Sequence, residues 1–111
     1  MITVTIHRSN DSYAGFKVVG HAGYAEEGYD IICAAVSVLV VNAVNSIETF
    51  TDDKFAARED HGIVELILEG SVSDKTTLLL DSMILGLRDI QTQYGNEFIR
   101  LKNEKIGRAH V

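Results

Sequence analysis

The sequence of 111 residues contains no proline and a single cysteine, Cys33. One cysteine cannot form a disulfide within the chain, which is typical of a protein in a reducing compartment. The first ten residues have neither an apolar signal core nor a basic leader, so the expected location is the cytoplasm. The longest apolar stretch, 31–41, includes Ser37 and is too short to span a bilayer, so no membrane segment is expected.

Positive charge is also scarce, because the sequence has 10 Lys and Arg residues and 16 Asp and Glu residues. The formal net charge is −6. Phosphate binding depends on Lys and Arg, so direct binding to nucleic acid is not expected. An acidic protein can instead attract a basic partner. Apolar residues make up 46% of the chain, which is enough for one hydrophobic core, and residues 1–111 are predicted to form a single domain.

Without proline, glycine is the main signal for where elements end, and the pattern predicts the order β-β-α-β-β-α-β. The strands are expected at 2–7, 16–21, 54–58, 63–69 and 97–102. The first helix is expected at 30–50, and the second begins at Ser71 or Ser73 and runs to about Tyr94, with Gly95 as its stop. Both helices can pack on one mostly antiparallel sheet, which makes the fold class α+β, a single layered domain.

The first helix is apolar on more than one face. Residues at helical spacing that should face the core are Ile32, Val36, Val40, Ala43, Ile47 and Phe50. Val38 and Val41 form a second apolar face, which a dimer partner could cover. In the second helix, Met83, Leu87, Ile90 and Tyr94 have the same spacing, which indicates core packing and not a cofactor pocket.

Only the segment 20–37 combines reactive side chains with several glycines. If Asp30 caps the helix, Cys33 is the third helical residue, near unpaired backbone N–H groups and the positive end of the helix dipole. That position favours the thiolate, which is the nucleophilic form, although the Asp30 carboxylate opposes it. A buried, inert Cys33 is the alternative, and the residues alone leave both interpretations open.

His21 ends a predicted strand, and the 11 residues between it and Cys33 are enough for the chain to return to the helix start. A histidine near a cysteine can accept its proton; alternatively, His21 makes only local hydrogen bonds. Gly20, Gly23 and Gly28 permit positive φ angles or close approach of a peptide backbone. An ordinary flexible connection explains the same glycines equally well.

The run 20–22 (GHA), followed after a glycine-containing loop by 30–37 (DIICAAVS), resembles the signature of the ribosomal-processing cysteine protease (Prp) family. No signature position departs from the pattern, and the resemblance covers essentially the whole chain, including the compact α+β fold. It implies that Cys33 is the nucleophile and His21 the general base and acid. The residues to which it assigns supporting or substrate-binding roles are Gly20, Gly23, Gly28, Asp30 and Ser37.

The resemblance also implies a substrate and an assembly. The family removes a short N-terminal extension from the bacterial large-subunit ribosomal protein whose mature tail reaches the peptidyl-transfer centre. Its substrates carry a hydrophobic, often aromatic, residue just before the cut, and its members form homodimers. No cofactor is implied, and no third residue that would orient His21 is obvious, so a dyad is expected.

The residues also permit other functions. A non-catalytic module that binds ribosomal proteins would keep a structural Cys33, and a redox sensor would lack a resolving cysteine. The four histidines His7, His21, His61 and His110 are scattered, so no metal site is expected. Glu26 and Glu27 are either solvated charges or an attraction for a basic substrate tail.

Overall fold

A computed structural model of the protein describes residues 1–20 and 29–106, with the side chains of Tyr29 and Asp30 outside that description. The element order is the predicted β-β-α-β-β-α-β. The elements are β1 (Ile2–Ser9), β2 (Ser12–Val19), α1 (Tyr29–Phe50), β3 (Lys54–Asp60), β4 (Ile63–Glu69), α2 (Asp74–Tyr94) and β5 (Ile99–Lys105).

The five strands form one sheet in the order β3-β4-β2-β1-β5. The pairs β1–β2, β2–β4 and β3–β4 are antiparallel, and β1–β5 is parallel. The parallel pair arises because α2 carries the chain from β4 across to the far side of β1, as parallel neighbours require. The prediction of a mostly antiparallel sheet in an α+β fold is confirmed.

Six strand boundaries differ from the sequence prediction. β1 ends at Ser9 and not at residue 7, β2 ends at Val19 and not at residue 21, and β5 begins at Ile99 and not at residue 97. The other three differences have identifiable structural causes. β2 begins at Ser12 and not at residue 16, because a register irregularity next to His7 interrupts the alternation of its side chains. β3 extends to Asp60, which pairs with Ile63 across the hairpin. β5 runs to Lys105 because its polar second half pairs with β1 up to Arg8, a contact that local hydrophobicity does not reveal.

The hydrophobic core lies between one face of the sheet and α1 and α2. Six α1 residues were predicted to face this core, and five of them are buried: Ile32, Val36, Val40, Ala43 and Ile47. Phe50 is 63% exposed, so its predicted core position is wrong, because it is the last residue of the helix. Val38 and Val41 are exposed, as expected for a second apolar face of α1.

α2 has the ends that the sequence predicts. Ser73 is its N-cap, and the Ser73 hydroxyl accepts a hydrogen bond from the N–H of Thr76 at 3.3 Å. Gly95 follows the helix and donates its N–H to the carbonyl of Gln91 at 2.9 Å. Met83, Leu87 and Ile90 are buried. Tyr94 is 46% exposed, so its predicted core position is wrong, because it is the last residue of the helix.

The stretch Ile31–Phe50 has a mean hydropathy of 1.9 and is long and apolar enough to cross a membrane. The prediction of a stretch too short to span a bilayer applied to residues 31–41, and the helix that contains them is longer. The core helix of a soluble protein has the same length and composition. Burial of one face of α1 against the sheet accounts for much of its apolar character.

Candidate active site

The sequence-predicted site lies at the end of the sheet where β1 begins and β2 ends. Gly20 directly follows β2, and its N–H donates to the carbonyl of Gly62 at 3.1 Å. This bond extends the β2–β4 ladder by one step beyond the pair Val19 and Ile63. The turn between β3 and β4 is therefore in contact with the residue that precedes His21.

Gly20 is also confined on its other side. Its φ angle is 97°, and a Cβ atom at this position would collide with the carbonyl oxygen of Met1. Any residue with a side chain would be strained here in both conformation and space. The requirement for glycine at Gly20, which the sequence suggested only in general terms, therefore has a local structural cause.

Cys33 is half-buried and packs against the hydrophobic core. α1 begins at Tyr29, one residue before the expected cap, so the prediction that Asp30 caps this helix is wrong. Asp30 is the second residue of the described part of α1, and Cys33 is the fifth. Helical Cα–Cβ bonds tilt towards the N-terminus, so a side chain at the fifth position still leans towards the first turn, where backbone N–H groups lack intrahelical partners.

Ser37 lies one helical turn after Cys33 and therefore on the same face of α1. It lines a cavity of about 30 Å³ between α1 and the sheet. The other residues that line the cavity are Val18, Val36, Val40, Val41, Glu59 and Val64. Among the described residues that line the cavity, the walls are thus almost entirely apolar, and Glu59 on β3 supplies the only charge.

The structure describes only part of the predicted constellation. Gly20, Cys33 and Ser37 lie at one end of the domain, at the end of β2 and in the first turns of α1. His21, Gly23 and Gly28 lie outside the described residues, as does the side chain of Asp30. The contact between His21 and Cys33 and the roles of these glycines stay predictions.

Sequence reasoning missed two residues at this end of the molecule. Glu59 was not considered, because it lies on an edge strand whose core-facing side carries no regular apolar pattern. The contact of Gly62 with Gly20 follows from the pairing of β2 with β4. These strands are separated by α1 and β3 in the chain, so no local sequence signal indicates that they pair.

The two described histidines each lie near one carboxylate. His7 Nδ1 is 2.9 Å from Glu104 Oε1, and His61 Nε2 is 3.3 Å from Asp60 Oδ1, with the His61 side chain 94% exposed. Within the described ranges, no three His, Cys, Asp or Glu side chains are grouped in a way that could hold a metal ion.

The family model for the cysteine protease Prp matches residues 1–99. The chain belongs to the Prp family of cysteine proteases. It is 34% identical over 101 residues to the ribosomal processing cysteine protease Prp of Bacillus subtilis strain 168, which covers 85% of this chain and 90% of that relative. The family assignment makes the chain an enzyme, and a non-catalytic binding module is accordingly not supported.

Two crystal structures of the family are similar to this fold. The essential ribosomal processing protease Prp of S. aureus in complex with a substrate peptide has a TM-score of 0.87 at 30% identity, covering 94% of this chain and all of that chain. A second structure of the S. aureus protease, with a covalently linked product peptide, has a TM-score of 0.83 at 31% identity and the same coverage. The predicted α+β fold is therefore the fold of the family.

Proposed function

We propose that the protein is a site-specific endopeptidase that removes the N-terminal extension of a bacterial large-subunit ribosomal protein, the one whose tail reaches the peptidyl-transfer centre. One observation carries the assignment of its nucleophile. The chain belongs to a family of cysteine proteases, and Cys33 is its single cysteine. Its place at the start of α1 supports the same assignment, because the N-terminal end of a helix favours the thiolate.

The proposed reaction is acyl transfer in two steps. The Cys33 thiolate attacks the scissile carbonyl carbon, the C–N bond breaks, and protonated His21 gives its proton to the leaving amine. Neutral His21 then takes a proton from water, which attacks the thioester and releases the carboxylic acid and the thiolate. Backbone N–H groups in the first turn of α1 are candidate donors to the oxyanion, because they lack intrahelical acceptors. This dyad needs no cofactor.

The apolar cavity beside Ser37 is the proposed contact for the hydrophobic residue before the cut. Its position one turn from Cys33 supports this role, as do its valine walls. A volume of about 30 Å³ holds one water-sized group, so an aromatic side chain can enter only if the walls move. Ser37 supports the site at the cavity edge, and Asp30 has a supporting role in the first turn.

The glycines have a proposed role in substrate binding. Gly20, Gly23 and Gly28 carry no side chains, so an extended peptide can approach their backbone closely. Gly20 is fixed between Met1 and Gly62, which gives such a peptide a rigid edge to lie against.

We also propose that residues 1–111 act as one domain in a cytoplasmic homodimer. Ile31 and Val38 on α1 are 66% and 67% exposed, and Val41 is 44% exposed. Large apolar side chains grouped on one helix face are typical of a surface that a partner covers. A second copy of the chain is the partner that the family resemblance implies.

Incubation of the purified protein with the precursor ribosomal protein, followed by mass measurement of the products, tests this function. Cys33→Ala and His21→Ala should each leave the precursor uncut while remaining folded. His7→Asn is the matched control, because His7 lies at the far end of β1 and should leave cleavage intact. Cleavage at near wild-type rate by folded Cys33→Ala would contradict the proposal.

A further inference from the structure

The hairpin turn between β3 and β4 has a tightly defined conformation. Asp60 pairs with Ile63, which leaves two residues, His61 and Gly62, to connect the strands. Their φ angles are 43° and 82°. Two successive positive φ angles are typical of a type I′ turn, the connection whose twist matches that of antiparallel strands. The position of the Gly62 carbonyl is therefore set by the hairpin itself.

This turn is joined to the end of β2 by a backbone hydrogen bond. The Gly62 carbonyl accepts the N–H of Gly20 at 3.1 Å. On the opposite side, the Met1 carbonyl leaves no space for a Cβ atom at Gly20. Gly20 is the last residue before His21 in the chain, and its backbone is held between β1 and the β3–β4 turn.

We propose that the β3–β4 turn is a positioning element for the reaction, because it sets the point at which the chain leaves β2 towards His21. The proposal rests on the proposed role of His21 as base and acid. The turn acts through Gly20 and is not itself catalytic. Misplacement of a reacting group by about 1 Å can cost on the order of a hundredfold in rate, so one backbone bond near the base can control turnover.

Two insertion variants separate positioning from general stability. The first places two glycines between His61 and Gly62, which lengthens the turn and releases the Gly62 carbonyl. The matched control places two glycines between Asn10 and Asp11, in the two-residue turn of the β1–β2 hairpin. That turn lies at the opposite end of β2, and the entropy cost of lengthening a short turn by two residues should be similar in both hairpins.

The measurements are kcat, KM, the pH dependence of kcat/KM and the free energy of unfolding. The β3–β4 insertion should lower kcat by about tenfold or more and displace the pH profile, with KM changed by less than about twofold. The β1–β2 insertion should lose similar stability but keep the wild-type kcat and pH profile. Wild-type kcat in the β3–β4 variant, or an equal loss of kcat in both variants, would overturn the proposal.

His21→Ala measured in parallel distinguishes failure of this inference from failure of the proposed function. If His21→Ala is inactive and the β3–β4 insertion has wild-type kcat, the result contradicts only the positioning role of the turn. If His21→Ala cleaves at the wild-type rate, the result contradicts the proposed role of His21 and, with it, the positioning role of the turn. An inactive His21→Ala together with a selective loss of kcat in the β3–β4 insertion supports both.

Discussion

The backbone N–H and the hydroxyl of Ser73 both donate to the same oxygen of Asp53, Oδ2, each at 2.8 Å. Ser73 is the N-cap of α2, so this pair ties the chain before β3 to the start of the second helix. Hydrogen bonds lower the pKa of Asp53 below its usual 3.8, first from the Thr76 side chain and then from the Ser73 backbone. The ionised carboxylate is therefore the form that the folded state prefers.

Replacement of Asp53 by asparagine should lower the free energy of unfolding by about 1 kcal/mol at neutral pH, since it weakens hydrogen bonds to a charged acceptor. Because the pKa of Asp53 is lowered in the folded state, the stability that its ionised carboxylate contributes is present above pH 3.8. That contribution is lost as the pH falls through the pKa of Asp53 in the folded protein. Urea unfolding of Asp53→Asn and wild type across the acid range measures it. The exposed neighbour gives the control, Asp52→Asn. A difference in free energy of unfolding between wild type and Asp53→Asn that persists unchanged below the folded-state pKa of Asp53 would contradict the explanation.

Tyr13 joins β2 to α2 and should give the opposite pH dependence. Its hydroxyl donates to Asp81 Oδ1, and the Arg8 guanidinium carbon lies 4.5 Å from the centre of its ring. Burial, and then the hydrogen bond to Asp81, raise the pKa of Tyr13 above 10.0. The stability that the protonated Tyr13 hydroxyl contributes is fully present below pH 10.0. It is lost as the pH rises through the pKa of Tyr13 in the folded protein.

The free energy of unfolding of Tyr13→Phe should therefore be about 1 kcal/mol lower than that of wild type at neutral pH. Above pH 10 it should decline less than the free energy of unfolding of wild type does. Denaturant unfolding between neutral and strongly alkaline pH is the measurement. Tyr94→Phe, at a partly exposed position on the last turn of α2, is the matched control and should follow the wild-type curve. Parallel curves for Tyr13→Phe and wild type above pH 10 would disprove the assigned role.

The exposed apolar face of α1 predicts a charge-sensitive dimer. A lysine at Val38 places a charge in the proposed interface, where it would be desolvated without a partner, so Val38→Lys should shift the protein from dimer to monomer. Sedimentation equilibrium measures the mass of each variant. Leu78→Lys on α2 is the control, because Leu78 is 68% exposed and Val38 is 67% exposed. Dissociation by Leu78→Lys alone would place the interface on the other helix.

The thiol of Cys33 should react with an alkylating reagent well below pH 8, because a catalytic cysteine is held as the thiolate. Rates of iodoacetamide modification from about pH 5 to pH 9 give the titration curve of this single cysteine. His21→Ala should slow the reaction at neutral pH, whereas His7→Asn should not. A thiol that stays unreactive in the folded wild-type protein would indicate a structural cysteine.

Local pattern was sufficient for the elements that a single stretch of sequence defines. The alternation in β4 predicted the span Ile63–Glu69 that the structure shows. The preference of serine for the N-cap position limited the start of α2 to Ser71 or Ser73, and the structure has Ser73. In each case the residues that determine the structure are neighbours in the chain.

Features that depend on distant pairing could not be predicted in this way. The polar end of β5 is a strand because it pairs with β1. Gly62 contacts Gly20 because β2 lies beside β4. The assignment of His21 and Cys33 came from the resemblance of the motif and not from spacing alone. These cases have one physical cause, since the deciding contacts join segments far apart in sequence.

The acyl-enzyme provides the most direct test of Cys33 as nucleophile. The wild-type protein is mixed with a peptide spanning the extension, quenched in acid within the first turnover, and analysed by intact mass and peptide mapping. We predict an added mass equal to the acyl portion of the peptide, located on the fragment that contains Cys33 and missing in Cys33→Ala. An acyl group on a different residue, or rapid cleavage by Cys33→Ala, would contradict the account.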